Sequence, residues 1–495
     1  MRDIFSDILR RREGGSREAV LAADRLTYDG LLEAVEIASQ TLVQSGVGTL
    51  ATVGLALPQS RANIVAILAI RRVGAVVVPV NYRAPSTERD YILSNAAVRH
   101  FIGPANLPTG STLLQPVDTI DGAALYETSV RDDASLRDGD AVIIHTSGST
   151  ARPKGVVLTT EGLSANVAAV AKSLELTQVD RCVLLTPPSF AYAFSQILTH
   201  LWVGGSLLPW PHGTIDIASL LRGIEQNGIT GLQANPTIFE LILTKSPEEW
   251  PNVSSVRYVM SGGQPLYSKL VRELQRRFPK ARVAIMYGLT ENGPRASFGW
   301  LPAPVPERCL PWPVGRAVLG TQIRIKKPDG RHADVGETGE IEVAGQSLMR
   351  TYLNQSSEAD DRLERGWFKT RDTGFFDENG DLNIVGRLDN IFSVGHEKVS
   401  PEEIEDTLSQ LPSIEQVAVS SVSHELLGAV PVVLYVSQID IEADIRAACS
   451  RSLSRAKFPR HVVRVPDLPR TPYGKLDRRA LQDFARREVA KMQGR

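Results

Sequence analysis

Between residues 60 and 286 the chain repeats one pattern, a helix-forming stretch followed by a short β-branched strand, and that alternation limits the folds open to it. Ser60 is placed as a helix N-cap, an apolar run fills residues 64–70, Gly74 sits where a helix stops, and residues 75–80 read as a strand. The pattern returns as a strand at 183–185, a helix at 195–203, a strand at 206–208, a helix at 217–226 and a strand at 231–234. A strand at 256–260, a helix at 266–278 and a strand at 283–286 continue it. Such alternation implies an α/β fold with a mainly parallel sheet covered by helices.

After about residue 316 the texture changes to short alternating strands at 322–326 and 340–344, with turn signals at Pro328-Asp329-Gly330 and Glu378-Asn379-Gly380, so a β-rich lobe is expected. From Gly386 a further unit begins: a helix at 401–411, strands at 417–421 and 430–436, and a helix at 441–453. The expected division is a large core of helix-covered sheets with the β-rich lobe over 1–386, a hinge at 387–390 and a small, mobile α+β domain over 391–495.

Length and charge narrow the role. A chain of 495 residues is expected to hold two or more domains. Its 55 basic residues against 56 acidic ones leave no electrostatic footprint for nucleic acid or an anionic membrane. Cys182, Cys309 and Cys449 are far apart and unpaired in spacing, which indicates neither a disulfide framework nor a zinc site and fits a reducing cytoplasm. The most apolar stretch, residues 64–80, is interrupted by Arg71 and Arg72 and is too short to span a bilayer, so no membrane insertion is expected.

Two local motifs carry chemistry. Thr146-Ser147-Gly148-Ser149-Thr150-Ala151-Arg152-Pro153-Lys154 follows an apolar strand at 141–144. Small hydroxyl residues and Gly148 let backbone N–H groups and hydroxyls approach phosphate oxygens, and Lys154 adds a positive charge. The spacing is not that of a Walker A loop. Downstream, Tyr287-Gly288-Leu289-Thr290-Glu291 follows the strand at 283–286, at a carboxyl edge of the sheet, where open α/β sheets bind ligands. An aromatic for adenine, a hydroxyl for phosphate and a carboxylate for Mg²⁺ fall within that segment. Each motif alone is also compatible with an ordinary surface loop or strand end.

Together and in this order the motifs resemble the adenylate-forming superfamily: acyl-CoA synthetases, peptide-synthetase adenylation domains and firefly-type luciferases. The look is nearest to stand-alone acyl or aryl acid ligases, and the resemblance covers nearly the whole chain. Leu26-Thr27-Tyr28, Val73-Gly74-Ala75, Ser261-Gly262-Gly263-Gln264-Pro265-Leu266, Gly339-Glu340-Ile341 through Tyr352, Thr370-Arg371-Asp372, Gly386-Arg387-Leu388-Asp389 and Pro469 through Lys475 complete the series. The resemblance implies ATP and Mg²⁺ as cofactors, a small carboxylic acid as substrate, and coenzyme A or a carrier-protein phosphopantetheine as acceptor. It implies that Gly263, Gln264, Tyr287 and Gly288 border the adenine, that Asp372 holds the ribose hydroxyls and that Arg387 contacts ribose or phosphate. Thr146, Ser147, Gly148, Ser149, Thr150 and Lys154 would hold the outgoing pyrophosphate, with Thr290 and the Mg²⁺ ligand Glu291 beside them. Lys475 would reach the reacting carboxylate, and rotation about Asp389 would exchange it for a thiol-side loop near residues 395–399 with Gly395, His396 and Lys398. Two departures stand out, Ala151 and Arg371, each where the family usually has glycine.

The segment that lines the family's acyl pocket matches Phe190, Ala191, Tyr192, Phe194 and Ser195 here. Peptide-synthetase domains usually place an aspartate for the substrate ammonium at the position of Ala191. A buried ammonium there would be unpaired and costly, so the expected acid lacks an α-ammonium group, with aryl and alkyl acids both open. Rival classes do worse. His424-Glu425 lacks the second histidine of H-E-x-x-H, no G-x-G-x-x-G follows a strand, and a non-catalytic nucleotide-binding regulator would leave Lys475 and Glu291 idle.

Overall fold

The computed structural model describes residues 3–10, 15–21, 25–105, 107, 113–131, 134–146, 153–210, 216–245, 247, 249–306, 312–354, 362–394, 397–424, 426–471 and 476–493. Within them the helix–strand alternation is present and sorts into two sheets. Helix Arg61–Arg72 and strand Val76–Pro79 belong to an eight-stranded sheet, where Val76–Pro79 runs parallel to Thr52–Leu55 and to Asp140–Thr146. The later units build a nine-stranded sheet, with Glu18–Val20, Ser206–Pro209, Arg181–Leu184, Gly231–Ala234, Tyr258–Gly262 and Arg282–Tyr287 as successive parallel neighbours.

Helix Arg61–Arg72 starts where the sequence places it: Ser60 Oγ accepts from the Asn63 N–H at 3.3 Å. Gly74, at φ 77°, lies beyond its end. Ile64 through Ile70 are at most 1% exposed, so the helix is apolar on every side because every side is covered. Each such Ile or Leu contributes about 1.5–3 kcal/mol relative to exposure. Helix Ile217–Gln226 and strand Gly231–Ala234 match their expected bounds. The acyl-pocket segment differs: the helix there is Ala191–Val203, beginning four residues early with Phe190 as N-cap and ending at Gly204 in the left-handed region.

The β-rich lobe is a five-stranded antiparallel sheet built on Thr321–Lys326, Gly339–Gly345, Trp367–Phe376 and Leu382–Arg387. Beyond it, Phe392–Val394, Glu397–Val399, Gln416–His424, Gly428–Val436 and His461–Arg464 form a separate sheet. Alternate residues of its central strand face two small cores: Val433 and Tyr435 join Ile404, Leu408 and Ile445, while Val432 and Leu434 join Leu481 and Ala485. No helix of the described residues is long and apolar enough to cross a membrane.

This C-terminal unit touches the rest of the chain through helix Pro401–Leu408. Asn390 Nδ2, just after the β-rich lobe, donates to Glu402 Oε1 at 2.6 Å, and the Tyr267 hydroxyl donates to the Asp406 carboxylate. Burial pushes the Asp406 carboxyl up to about 7, against the Tyr267 hydrogen bond and with the help of Glu405, Glu402 and Glu403. The folded state therefore holds a proton that the unfolded chain releases near pH 4. The stabilisation is fully present below that pH and is lost as pH rises toward 7. Asp406→Asn, which mimics the protonated acid, is expected to gain on the wild type by on the order of 2 kcal/mol between pH 5 and pH 8. Melting temperatures of both proteins across that range check it, and parallel curves would refute it.

Candidate functional site

The carboxyl edge of strand Arg282–Tyr287 opens into a tight reversal that needs glycine: a Cβ at Gly288 would lie 1.8 Å from the Pro294 carbonyl oxygen. One turn of 3₁₀ helix, Thr290–Asn292, follows and closes at Gly293, φ 67°. It carries Glu291, which is 9% exposed and accepts from the Tyr352 hydroxyl through Oε1 at 2.6 Å. Tyr352 sits opposite Val156 in the ladder between Thr351–Tyr352 and Lys154–Thr159, and Lys154 Nζ lies 5.6 Å from its ring centre. Thr146 and Lys154 face each other across paired strands, so the phosphate-loop segment is closed at its base by a β ladder. Ser147, Gly148, Ser149 and Thr150 lie outside the described residues.

A second cluster forms beside Tyr287. Its hydroxyl donates to Asp372 Oδ2 at 2.6 Å, and Arg387 Nη1 lies 3.2 Å from Asp372 Oδ1. The register of strands Trp367–Phe376 and Leu382–Arg387 sets this pair, since Asp372 and Arg387 are direct partners. Burial pushes the Asp372 carboxyl above the usual aspartate range, and Arg387 and Tyr287 pull it back. Gly263, at φ 81°, follows strand Tyr258–Gly262, and Gln264 accepts from Thr237 Oγ1 at 3.0 Å.

Arg371, the residue in place of glycine, keeps the backbone a glycine would choose: its φ is 66°. Its guanidinium reaches Asp389 at 3.0 Å, and Arg387 Nη2 lies 3.8 Å from the same carboxylate. Asp389 is thus tied to the strand that carries Asp372.

Among the described residues no group of three or more metal-ligating side chains exists. A single carboxylate such as Glu291 fits Mg²⁺ that draws its other ligands from phosphate oxygens and water, and does not fit an all-protein zinc or calcium cage.

Other expected site residues fall apart from these clusters. Phe194 and Ser195 are fully buried, Phe194 within the main apolar core. Tyr192 lies under the Arg295 guanidinium, 4.7 Å from ring centre to Cζ. Glu397–Val399, with Lys398 in its backbone, is a strand paired to Phe392–Val394 rather than a loop. Gly395, His396 and Lys475 lie outside the described residues. Two arginines went unnoticed in the sequence. Arg362 donates to the Tyr352 hydroxyl at 3.2 Å and to the Thr370 carbonyl at 2.9 Å, bracing both clusters. Arg295 is isolated in sequence and acquires meaning only from what surrounds it in the fold.

A model of AMP-binding enzymes matches residues 10–353, and one of the AMP-binding enzyme C-terminal domain matches residues 403–475. The chain is 29% identical to the 2-succinylbenzoate–CoA ligase of Listeria monocytogenes serotype 4b over 92% of its own length and 94% of that protein. It is 28% identical to the indoleacetate–CoA ligase of Aromatoleum aromaticum, over 94% of each. The ATP-bound crystal structure of MatB from Rhodopseudomonas palustris superposes with a TM-score of 0.84 at 25% identity, over 97% of this chain and 98% of that one. The chain belongs to the family of AMP-binding enzymes, as an AMP-forming acid–CoA ligase that uses ATP and Mg²⁺.

Proposed function

We propose that the protein acts in the cytoplasm on a carboxylic acid without an α-ammonium group. A carboxylate oxygen of the acid attacks the α-phosphorus of ATP, the bond to pyrophosphate breaks, and the acyl-adenylate forms. The thiol of coenzyme A then attacks the acyl carbon, the bond to AMP breaks, and the thiol proton passes to solvent. The observation that carries this reading is the convergence of two clusters, Tyr287–Asp372–Arg387 and Glu291–Tyr352–Lys154, on one strand end and the segment that follows it.

In this reading Asp372 accepts the ribose hydroxyls, Arg387 sits between ribose and phosphate, and Gly263 and Gln264 border the adenine. Tyr287 presents its ring to the base with its hydroxyl held by Asp372. Thr290 and the 146–154 segment hold phosphate oxygens. Glu291, oriented by Tyr352, holds Mg²⁺, which when bound offsets the charge of the departing pyrophosphate. The acid class follows from Ala191, which offers no carboxylate, and from the Arg295 cation against Tyr192, which repels an ammonium. The relatives named above act on 2-succinylbenzoate and indoleacetate, acids of the same kind.

Incubating the protein with ATP, Mg²⁺ and a panel of acids, with coenzyme A or a phosphopantetheinylated carrier protein, tests the proposal. Pyrophosphate and a CoA thioester are expected; absence of pyrophosphate with every acid would reject it, and transfer to the carrier alone would reassign the acceptor.

The hinge at 387–390 is part of the same proposal. Arg371 tethers Asp389 and opposes rotation of the C-terminal domain. The exposed pair contributes about 0.2–1 kcal/mol. Arg371→Gly also removes the cost of a left-handed arginine, which offsets the lost pair, so stability should change by less than about 1 kcal/mol. Single-turnover transfer from supplied acyl-adenylate to coenzyme A should speed up by about 2- to 5-fold. An unchanged or slower transfer would count against the tether.

A further inference from the structure

Among the described residues Arg295 is the largest side chain that is almost wholly buried, 2% exposed, and the groups that act on its charge are Tyr192, Tyr258 and Cys182 rather than a carboxylate. Its position is fixed from behind: Asn166 and Asn292 side-chain amides donate to its carbonyl oxygen at 3.0 and 3.3 Å. The guanidinium lies over the Tyr192 ring, donates through Nη2 to Gln233 Oε1 at 3.2 Å and points Nε at Met286 Sδ, also 3.2 Å away. Nη1 is buried and has no hydrogen-bond partner.

The shell around it is neutral. Gln233 is held by the Tyr258 hydroxyl, and Tyr258 by His200 Nε2 at 3.0 Å. Burial pulls His200 down to about 4 and pushes the Cys182 thiol up to about 12, so neither carries charge at neutral pH. Burial raises Tyr192 and Tyr258 as well. A guanidinium does not deprotonate in such a setting. Arg295 thus keeps a full positive charge in the interior with a neutral retinue, its nearest polar company the Tyr192 hydroxyl and Gln233. Buried charges are ordinarily paired, because an unpaired one forfeits its hydration.

Its location says what would pair it. Arg295 stands four residues after Glu291, on the segment that leads from the nucleotide side, and it covers Tyr192 on the helix that carries the acyl-pocket segment. The Tyr192 hydroxyl on that helix interacts with the guanidinium, and Ser195 Oγ is buried without a partner. Arg295 also borders a gap among Val170, Met260, Met286 and Phe298 that is too small for a water molecule, so a ligand group enters there only as the unbranched Met286 yields.

We propose that Arg295 recognises a second carboxylate on the acid substrate, so that the enzyme activates one end of a dicarboxylic acid while the guanidinium holds the other. This rests on the acid-ligase reading above and names the acid's class. The planar fork of arginine matches a carboxylate through two parallel N–H···O bonds, and the neutral apolar shell makes that pair selective against uncharged isosteres.

The test compares malonate, succinate, glutarate and phthalate with their monomethyl esters. Binding is read by thermal shift, and pyrophosphate release with ATP and Mg²⁺ is read alongside. In the wild type at least one diacid should bind and react about 30-fold better than its monoester. Arg295→Met should bring the pair near parity, and Arg295→Lys, a point charge without the fork, should fall between. Monoesters that bind as well as every diacid, or a preference that survives Arg295→Met, would overturn the proposal. The wild-type comparison decides it even if a variant fails to fold. Diacid binding without pyrophosphate release would support the pocket and refute the ligase reading instead.

Discussion

Replacing Lys475 by alanine should lower ATP–pyrophosphate exchange about a thousandfold, while transfer from supplied acyl-adenylate to coenzyme A keeps most of its rate. The reason is charge. Adenylation drives a carboxylate against an anionic α-phosphate, and a positioned ammonium offsets the negative charge that accumulates between them. Transfer brings a thiol to an acyl carbon already activated, where the same ammonium has no accumulating phosphate charge to offset. Of the described residues on either side, Arg470 and Leu476 pair in a β-bridge, and Arg470 Nη2 donates to Gln416 Oε1 at 2.9 Å. Equal loss of both half-reactions would reject a lysine that serves only one of them. Proline at Asp389 is a poor complement to this experiment. The Asn390 N–H bonds to the Arg387 carbonyl, which places Asp389 third in a turn, and proline there would disrupt the turn itself.

What the sequence made legible followed from local rules. Helix Ile217–Gln226 carries its own N-cap, Asp216, and a clear apolar stripe, so its bounds could be read directly. Tyr287 and Glu291 stood out by their place after a strand end, whereas Asp372 and Arg387 were singled out only by the family resemblance, and the fold brings Tyr287, Asp372 and Arg387 together. Which strands share a sheet was not legible, since pairing between residues 76–79 and 140–146 depends on long-range contacts that no local pattern encodes. The early start of helix Ala191–Val203 was missed because Phe190 is not a capping residue by type. Tyr352, Arg362 and Arg295 act through partners 61, 10 and 62 positions away. An isolated arginine looks the same in sequence whether it meets solvent or closes a site. Arg371 marks the opposite case: an unexpected residue type was visible at once, while its retained left-handed backbone and its grip on Asp389 required the fold.

Removing the Asp372 carboxylate should weaken nucleotide binding by roughly a hundredfold, the loss of two charge-assisted hydrogen bonds to the ribose. Asp372 is 7% exposed, and its two oxygens already receive Tyr287 Oη–H and face Arg387 Nη1. Truncation to alanine would strand both donors, so part of its effect would be structural. Asp372→Asn keeps the shape and separates the two contributions. Its melting temperature reports the lost pair with Arg387, and calorimetry with AMP reports the ribose contact. In the proposed reading the residue meets the sugar and not the reacting phosphorus, so KM for ATP should rise far more than kcat falls. A second readout isolates the contact itself. The wild type should discriminate against ATP analogues lacking a ribose hydroxyl, and Asp372→Asn should lose most of that discrimination. Retained discrimination in the variant, or AMP affinity within about threefold of the wild type, would show that the ribose is held elsewhere and that Asp372 serves to fix Arg387 and Tyr287.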